Sequence, residues 1–187
     1  MNAQIVALCS VPLVLLYPAA KRITYYPQFV LGLTFNWGVM VGHVACQPDI
    51  WSYSPTTALS VAALYTGAVC WTMFYDTVYA YQDIDDDQKI GVRSTALAWG
   101  KGTSGKQRLA AMALGFSGLL GTSLFAADLN PTVSLLGLGA VGSHILWQFS
   151  LIKNLENKHG ECGLAFKSNT NLGLIVLMTI IAGRYFQ

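Results

Sequence analysis

The fold class that this sequence predicts is all-α, a multi-pass transmembrane helical bundle of about six spans. Three observations predict it. The 187 residues are 53% hydrophobic and only 11% charged, where a soluble domain carries about 25% charged residues. Six stretches are apolar over much or all of the roughly 20 residues that a hydrocarbon core of about 30 Å requires. The basic residues crowd every second connection between those stretches. The length suits one domain, residues 1–187.

The stretches run Ala3–Tyr17, Pro27–Ala45, Thr57–Tyr81, Gln107–Ala127, Thr132–Ile152 and Thr170–Phe186. The first has no basic residue before it and no clear small-residue cleavage site, so it reads as a span rather than a cleavable presequence. Lys21 and Arg22 follow the first span. Lys89, Arg93, Lys101, Lys106 and Arg108 follow the third, and Lys153, Lys158 and Lys167 follow the fifth. Six spans put these ten of the eleven Lys/Arg residues on one side, leaving only Arg184 opposite. By the positive-inside rule that side is cytoplasmic, or its matrix equivalent, and the N-terminus lies outside.

A net charge of +2 is too small to point to nucleic acid. The four cysteines include no C-x-x-C pair and read as small buried apolar residues. His159 and Cys162 lie close together in a loop but are too few for a zinc site. Gly38 and Gly42 in the second span, Gly115, Gly118 and Gly121 in the fourth, and Gly139 and Gly142 in the fifth are expected at helix contacts. Small residues let membrane helices approach closely.

The third span runs into Tyr75-Asp-Thr-Val-Tyr-Ala-Tyr-Gln-Asp-Ile-Asp-Asp-Asp87. On a helix Asp83 and Asp87, four apart, share a face, and Asp76, seven residues before Asp83, lies near it. Asp76 also sits within an apolar run, where a carboxylate is expensive and usually functional. Like charges at this spacing repel unless a cation lies between them, and Mg²⁺ suits one or two carboxylates plus substrate phosphates. A diphosphate–Mg²⁺ platform at the membrane surface is one reading, and a solvated acidic loop is the other. A calcium loop fits poorly, because Gln88 and Ser94 stand where its glycine and glutamate belong.

Gly100-Lys-Gly-Thr-Ser-Gly-Lys106 resembles a phosphate loop, but Gln107 follows and no strand precedes. It is expected to be a flexible connection. Lys21 and Arg22 either anchor the first span or neutralise a leaving diphosphate. Asn36, His43 and His144 are polar groups within spans, expected to hydrogen-bond between helices.

Taken together, these residues resemble the UbiA-type intramembrane prenyltransferases, most of all the 4-hydroxybenzoate polyprenyltransferases of ubiquinone synthesis. The resemblance rests on Tyr75 to Asp87 with Lys89-Ile-Gly-Val-Arg-Ser-Thr95, on Tyr17-Pro-Ala-Ala-Lys-Arg22, Tyr26-Pro-Gln28, Leu31-Gly32 and Phe35-Asn-Trp-Gly38, and on Cys162, Phe166, Asn169 and Gly173. It implies Mg²⁺-dependent ionisation of an allylic polyprenyl diphosphate and alkylation of an aromatic acceptor. Asp83 and Asp87 would hold Mg²⁺ with Asp76 in support. Lys21, with Arg22, Lys89 and Arg93, would face the diphosphate, and Tyr79 would offer its ring to the carbocation. The family's other Asp-rich motif, N-D-x-x-D-x-x-x-D, has no counterpart here. The chain is therefore expected to match the last six spans of a nine-span fold, with incomplete activity by itself. Attachment of farnesyl to a phenolic acid or polyketide in secondary metabolism, and binding of a lipid diphosphate without transfer, are the alternatives. A mitochondrial or bacterial inner membrane is the expected location. Membrane lipid is an expected partner, and the oligomeric state is left open.

Overall fold

The computed structural model describes residues 2–49, 53–152, 155 and 160–187. Among them the chain is helical, with no strand. Helices α1 (Ala3–Leu8) and α2 (Val11–Ile23) form the first span, and α3 (Pro27–Phe35) and α4 (Gly38–Cys46) the second. Helix α5 (Pro55–Ile90) is the third span, and short α6 (Thr95–Trp99) follows it. Helices α7 (Thr103–Ala126) and α8 (Pro131–Leu151) are the fourth and fifth spans, and α9 (Glu161–Lys167) with α10 (Asn169–Tyr185) the sixth. All six segments are long and apolar enough to cross a membrane. The protein is a multi-pass integral membrane protein.

Sequence chemistry sets the ends. Pro27, Pro55 and Pro131 open α3, α5 and α8, where a missing N–H costs nothing. Ser54 accepts from the N–H of Thr57, and Asn130 from that of Val133, which satisfies otherwise orphaned donors. Gly91 takes the left-handed conformation, φ 73°, that closes α5.

Helix α5 is the central post. Helix α7 packs along it, and α3, α6 and α9 flank it. Phe74, Tyr81, Phe116, Leu120, Leu124 and Leu172 are buried in the shared core. Trp71 stacks on Phe116, with ring centroids 5.3 Å apart, and donates its indole N–H to Asn169 at 2.7 Å. The first two spans are bound more loosely, burying Val6 and Ala20 on one and Pro27, Gln28, Leu31, Gly32 and Val44 on the other.

Hydrogen bonds between loops agree with the alternating layout. The Arg93 N–H donates to the Lys21 carbonyl at 3.1 Å, joining the ends of the first and third spans. The Asn130 N–H donates to the Gly183 carbonyl at 3.0 Å, joining the ends of the fourth and sixth. Lys153, Lys158 and His159 lie outside the described residues.

Several expectations need correction. Helix α5 does not stop at Tyr81 but continues to Ile90. Its 36 residues reach roughly 54 Å at 1.5 Å per residue, well beyond a hydrocarbon core of about 30 Å. The buried Ile84 side chain and the glycine cap at 91 hold the extra turns to the bundle. Thr103 to Lys106 belong to the first turn of α7 rather than to a flexible connection. Here the buried Tyr81 hydroxyl donates to the Gly100 carbonyl at 2.8 Å, and a Cβ on Gly105 would overlap both groups. Cys162 is buried on α9 and Cys70 is half-buried, but Cys9 and Cys46 are exposed.

The small-residue expectation holds for Gly115, against Cys70, and for Gly121, against Leu138. Gly38, Gly42, Gly118, Gly139 and Gly142 meet no neighbour among the described residues. The close approaches instead use Gly32 against Val69 and Gly67 against Leu119. Asn36 and His144 do bond between helices, to Thr72 at 2.8 Å and to Ser168 at 3.2 Å. His43 differs, because its ring packs edge-on against Tyr53 and its Nε2 has no hydrogen-bond partner among the described residues.

Candidate functional site

Because α5 stays helical to Ile90, Asp76, Asp83 and Asp87 keep the one-sided register that their spacing sets. All three line one pocket of about 190 Å³ with Tyr79 and Ala80 of the same helix. The opposite wall is Tyr17 and Lys21 of α2 with Pro27 and Gln28 of α3. Val92, Arg93 and Ser94 of the turn after α5 close the end. Asp76 and Asp87 are half-buried, while Asp83, Tyr79 and Lys21 are exposed. The Lys21 ammonium lies 5.6 Å from the centroid of the Tyr17 ring, within cation–π range.

The two acids between Asp83 and Asp87 on the far side are already engaged. Asp85 pairs with Lys101 at 3.2 Å across to the α6–α7 turn. Asp86 pairs with Lys89 at 3.0 Å on the exposed flank of α5. Among the described residues, the lysine salt bridges of this acidic run are made by Asp85 and Asp86, outside the pocket, and not by the carboxylates that line it.

The turn after α5 builds the wall by holding α2 and α3. Besides its backbone bond to Lys21, Arg93 donates a guanidinium N–H to the Ile23 carbonyl at 2.8 Å, and it lies over the Tyr25 ring at 5.2 Å. The Ser94 hydroxyl caps α6 by accepting from Leu97. The Thr95 N–H donates to the Gln28 side-chain oxygen at 3.2 Å, and the Thr95 hydroxyl shares a buried 2.7 Å hydrogen bond with Thr77 of α5.

Of the residues singled out in the sequence, Lys21, Asp76, Tyr79, Asp83, Asp87 and Arg93 are brought together here. Arg22 and Lys89 are not among the lining residues. Arg22 is exposed on α2, and Lys89 is engaged by Asp86. Tyr17, Gln28 and Ser94 were not picked out as site residues. Gln28 carried a signal, as a glutamine in the first turn of an apolar span directly after a proline.

The donor set can be tested against Mg²⁺. Among the described residues no three His, Cys, Asp or Glu side chains close around a point as a complete metal cage would require. Mg²⁺ keeps several waters and binds through one or two carboxylates plus substrate phosphates. An open row of carboxylates facing a lysine across a pocket fits that habit.

Known proteins match the same segments. The model of the UbiA prenyltransferase family matches residues 2–170. The chain is similar to the 4-hydroxybenzoate polyprenyltransferase, mitochondrial, of Dictyostelium discoideum, at 41% identity over 100% of this chain and 38% of that protein. It is similar to the human protein of that name at 41% identity, over 95% of this chain and 45% of the relative. The Caenorhabditis elegans protein is 40% identical over 92% of this chain and 46% of its own length. The chain thus spans less than half the length of these relatives. No solved structure matches it with comparable significance. With the acid-bearing helix, its lysine-bearing partner and the turn between them all inside the matched segment, this chain belongs to the UbiA prenyltransferase family.

Proposed function

We propose that the chain carries the diphosphate-handling part of a Mg²⁺-dependent transfer of a polyprenyl group to an aromatic acceptor such as 4-hydroxybenzoate. The observation that carries this reading is the pairing, in one pocket, of Asp76, Asp83 and Asp87 from α5 with Lys21 from α2. The names of the relatives support the acceptor class and a mitochondrial location, and the six apolar spans place the chain in a membrane there.

Asp83 and Asp87 would hold Mg²⁺, with Asp76 supporting them deeper in the bundle. The ion, when bound, would screen the negative charge that develops on a departing diphosphate. Lys21 reaches the same space from the opposite wall and adds a fixed positive charge where that charge grows. Tyr79, on the rim between Asp76 and Asp83, presents an aromatic face able to stabilise a nearby cation. The pocket of about 190 Å³ is smaller than the roughly 300–1,000 Å³ of sites that enclose a whole small molecule. It suits a diphosphate head group, with the apolar tail lying among the helices.

Calorimetry on the 187-residue chain in detergent, titrated with inorganic pyrophosphate, tests the site. Binding should require Mg²⁺, and equal affinity with excess EDTA would remove the metal from the reading. Transfer is tested with labelled prenyl diphosphate and 4-hydroxybenzoate in membranes from a host lacking its own enzyme. Product that persists after Asp83→Ala would place the chemistry elsewhere.

A further inference from the structure

Gln28 carries an inference beyond the acids and lysines, and it rests on the diphosphate reading of the pocket. It is the second residue of α3 and lines the pocket, yet its side chain is only 5% exposed. A buried primary amide normally satisfies both of its ends. One end is fixed without ambiguity. The Thr95 N–H lies 3.2 Å away, and a backbone N–H can only donate, so the atom facing it is the amide oxygen. The amide nitrogen is therefore turned away from Thr95, and it is not among the buried side-chain atoms sealed without a partner, as befits a residue that lines the pocket. Thr95 cannot drift to release the oxygen, since its hydroxyl is held by Thr77 at 2.7 Å and its N–H opens α6 behind the Ser94 cap. The side chain is thus a donor locked in place, with two N–H groups left for whatever occupies the pocket.

We propose that Gln28 is a ligand-binding residue that donates a hydrogen bond to a phosphate oxygen of the bound diphosphate. A neutral donor suits its position. Lys21 and the metal supply charge, while an oriented amide supplies direction, fixing which oxygens turn toward the acids. Hydrogen bonds to charged groups are among the stronger ones, so losing this donor should weaken binding about tenfold or more.

The experiment is a titration of the 187-residue chain with inorganic pyrophosphate in the presence of Mg²⁺. Gln28→Met, close in size but without donors, should lose about tenfold in affinity. A second measurement uses the unaltered chain labelled with ¹⁵N at glutamine side chains. One amide pair should move downfield as pyrophosphate saturates the site. Gln28→Met binding as tightly as the parent chain, or no moving glutamine amide at saturation, overturns the proposal. Should the variant fail to fold, the spectrum alone decides. If the parent chain does not bind pyrophosphate at all, the diphosphate reading itself fails and takes this proposal with it. If it binds and Asp83→Asn abolishes binding while Gln28→Met does not, only the role of Gln28 is wrong.

Discussion

The Arg93 N–H donates to the Lys21 carbonyl at 3.1 Å, so the turn that ends the acidic helix is stitched to the helix that carries the pocket's lysine. The Arg93 side chain repeats the connection two residues on, through the Ile23 carbonyl, and reaches the Tyr25 ring beyond the end of α2. Arg93→Ala keeps the backbone bond but removes both side-chain contacts. Together these are worth about 1–2 kcal/mol. Pyrophosphate affinity should fall several-fold through loss of the wall's position, and Arg93→Lys should restore little, because a lysine lacks the planar fork. Unchanged affinity in Arg93→Ala would show that α2 holds its place unaided.

The acids of α5 divide into two groups, and substitutions should respect the division. Asp83→Asn and Asp87→Asn should each abolish the Mg²⁺ dependence of pyrophosphate binding, because both line the pocket. Asp85→Asn should change it little, since Asp85 faces Lys101 instead. Calorimetry with and without EDTA measures all three, and a large effect at Asp85 alone would redraw the site.

Much of this was legible in the residues, for identifiable reasons. The six spans follow from hydropathy, which the bilayer reads directly. The pocket acids follow from the spacing of Asp76, Asp83 and Asp87 once helix is assumed. What spacing could not supply was the partner of each group. Lys21 and Arg22 are neighbours of equal charge, and only the packing of α2 on α3 selects Lys21 for the pocket. Lys89 and Arg93 looked alike as nearby cations, but Lys89 is held by Asp86 while Arg93 clamps α2. The glycine motif at Gly38 and Gly42 predicted a contact by pattern, yet that face meets no neighbour among the described residues. The glycine-rich Gly100–Lys106 run read as slack because glycine is flexible when unpacked. Burial of Tyr81 against it turns the same residues into a tight joint.

That joint can be tested by comparing two glycines on α7. Gly105→Ala places a methyl group into the Gly100 carbonyl and the Tyr81 hydroxyl, and should destabilise by about 1–3 kcal/mol. Gly118→Ala meets open space and should be neutral or stabilising by up to about 1 kcal/mol, from helix propensity alone. Unfolding in mixed micelles with increasing dodecyl sulfate gives both values. Equal stability for the two variants would contradict the tight packing at Gly105.

Sidedness can be measured directly. In a cysteine-free background, Ile90→Cys and Tyr185→Cys place thiols at exposed positions, 72% and 81% accessible, at the ends of the third and sixth spans. A membrane-impermeant reagent applied to sealed vesicles should label them from opposite sides. Labelling of both from one side would break the alternation.

The interruptions in the first two spans have a mechanical consequence. The first breaks between α1 and α2 at Cys9 and Ser10, and the second between α3 and α4 at Asn36 and Trp37. Asn36 bolts its break to α5 by bridging the Gly32 carbonyl and the Thr72 hydroxyl, each at 2.8 Å. Trp37 reaches the other way, donating its indole N–H to the Val6 carbonyl at 2.8 Å. Below the joints α2 packs on α3 and α3 on α5, and above them α1 packs on α4, which itself touches α5 more lightly than α3 does. Bending imposed on the outer half of these spans, by lipid or by a neighbouring protein, is therefore taken up at the two joints as at a pair of knuckles. The Asn36 bond to Thr72 and the α4 contact on α5 shorten the lever arm that reaches the acid-lined end.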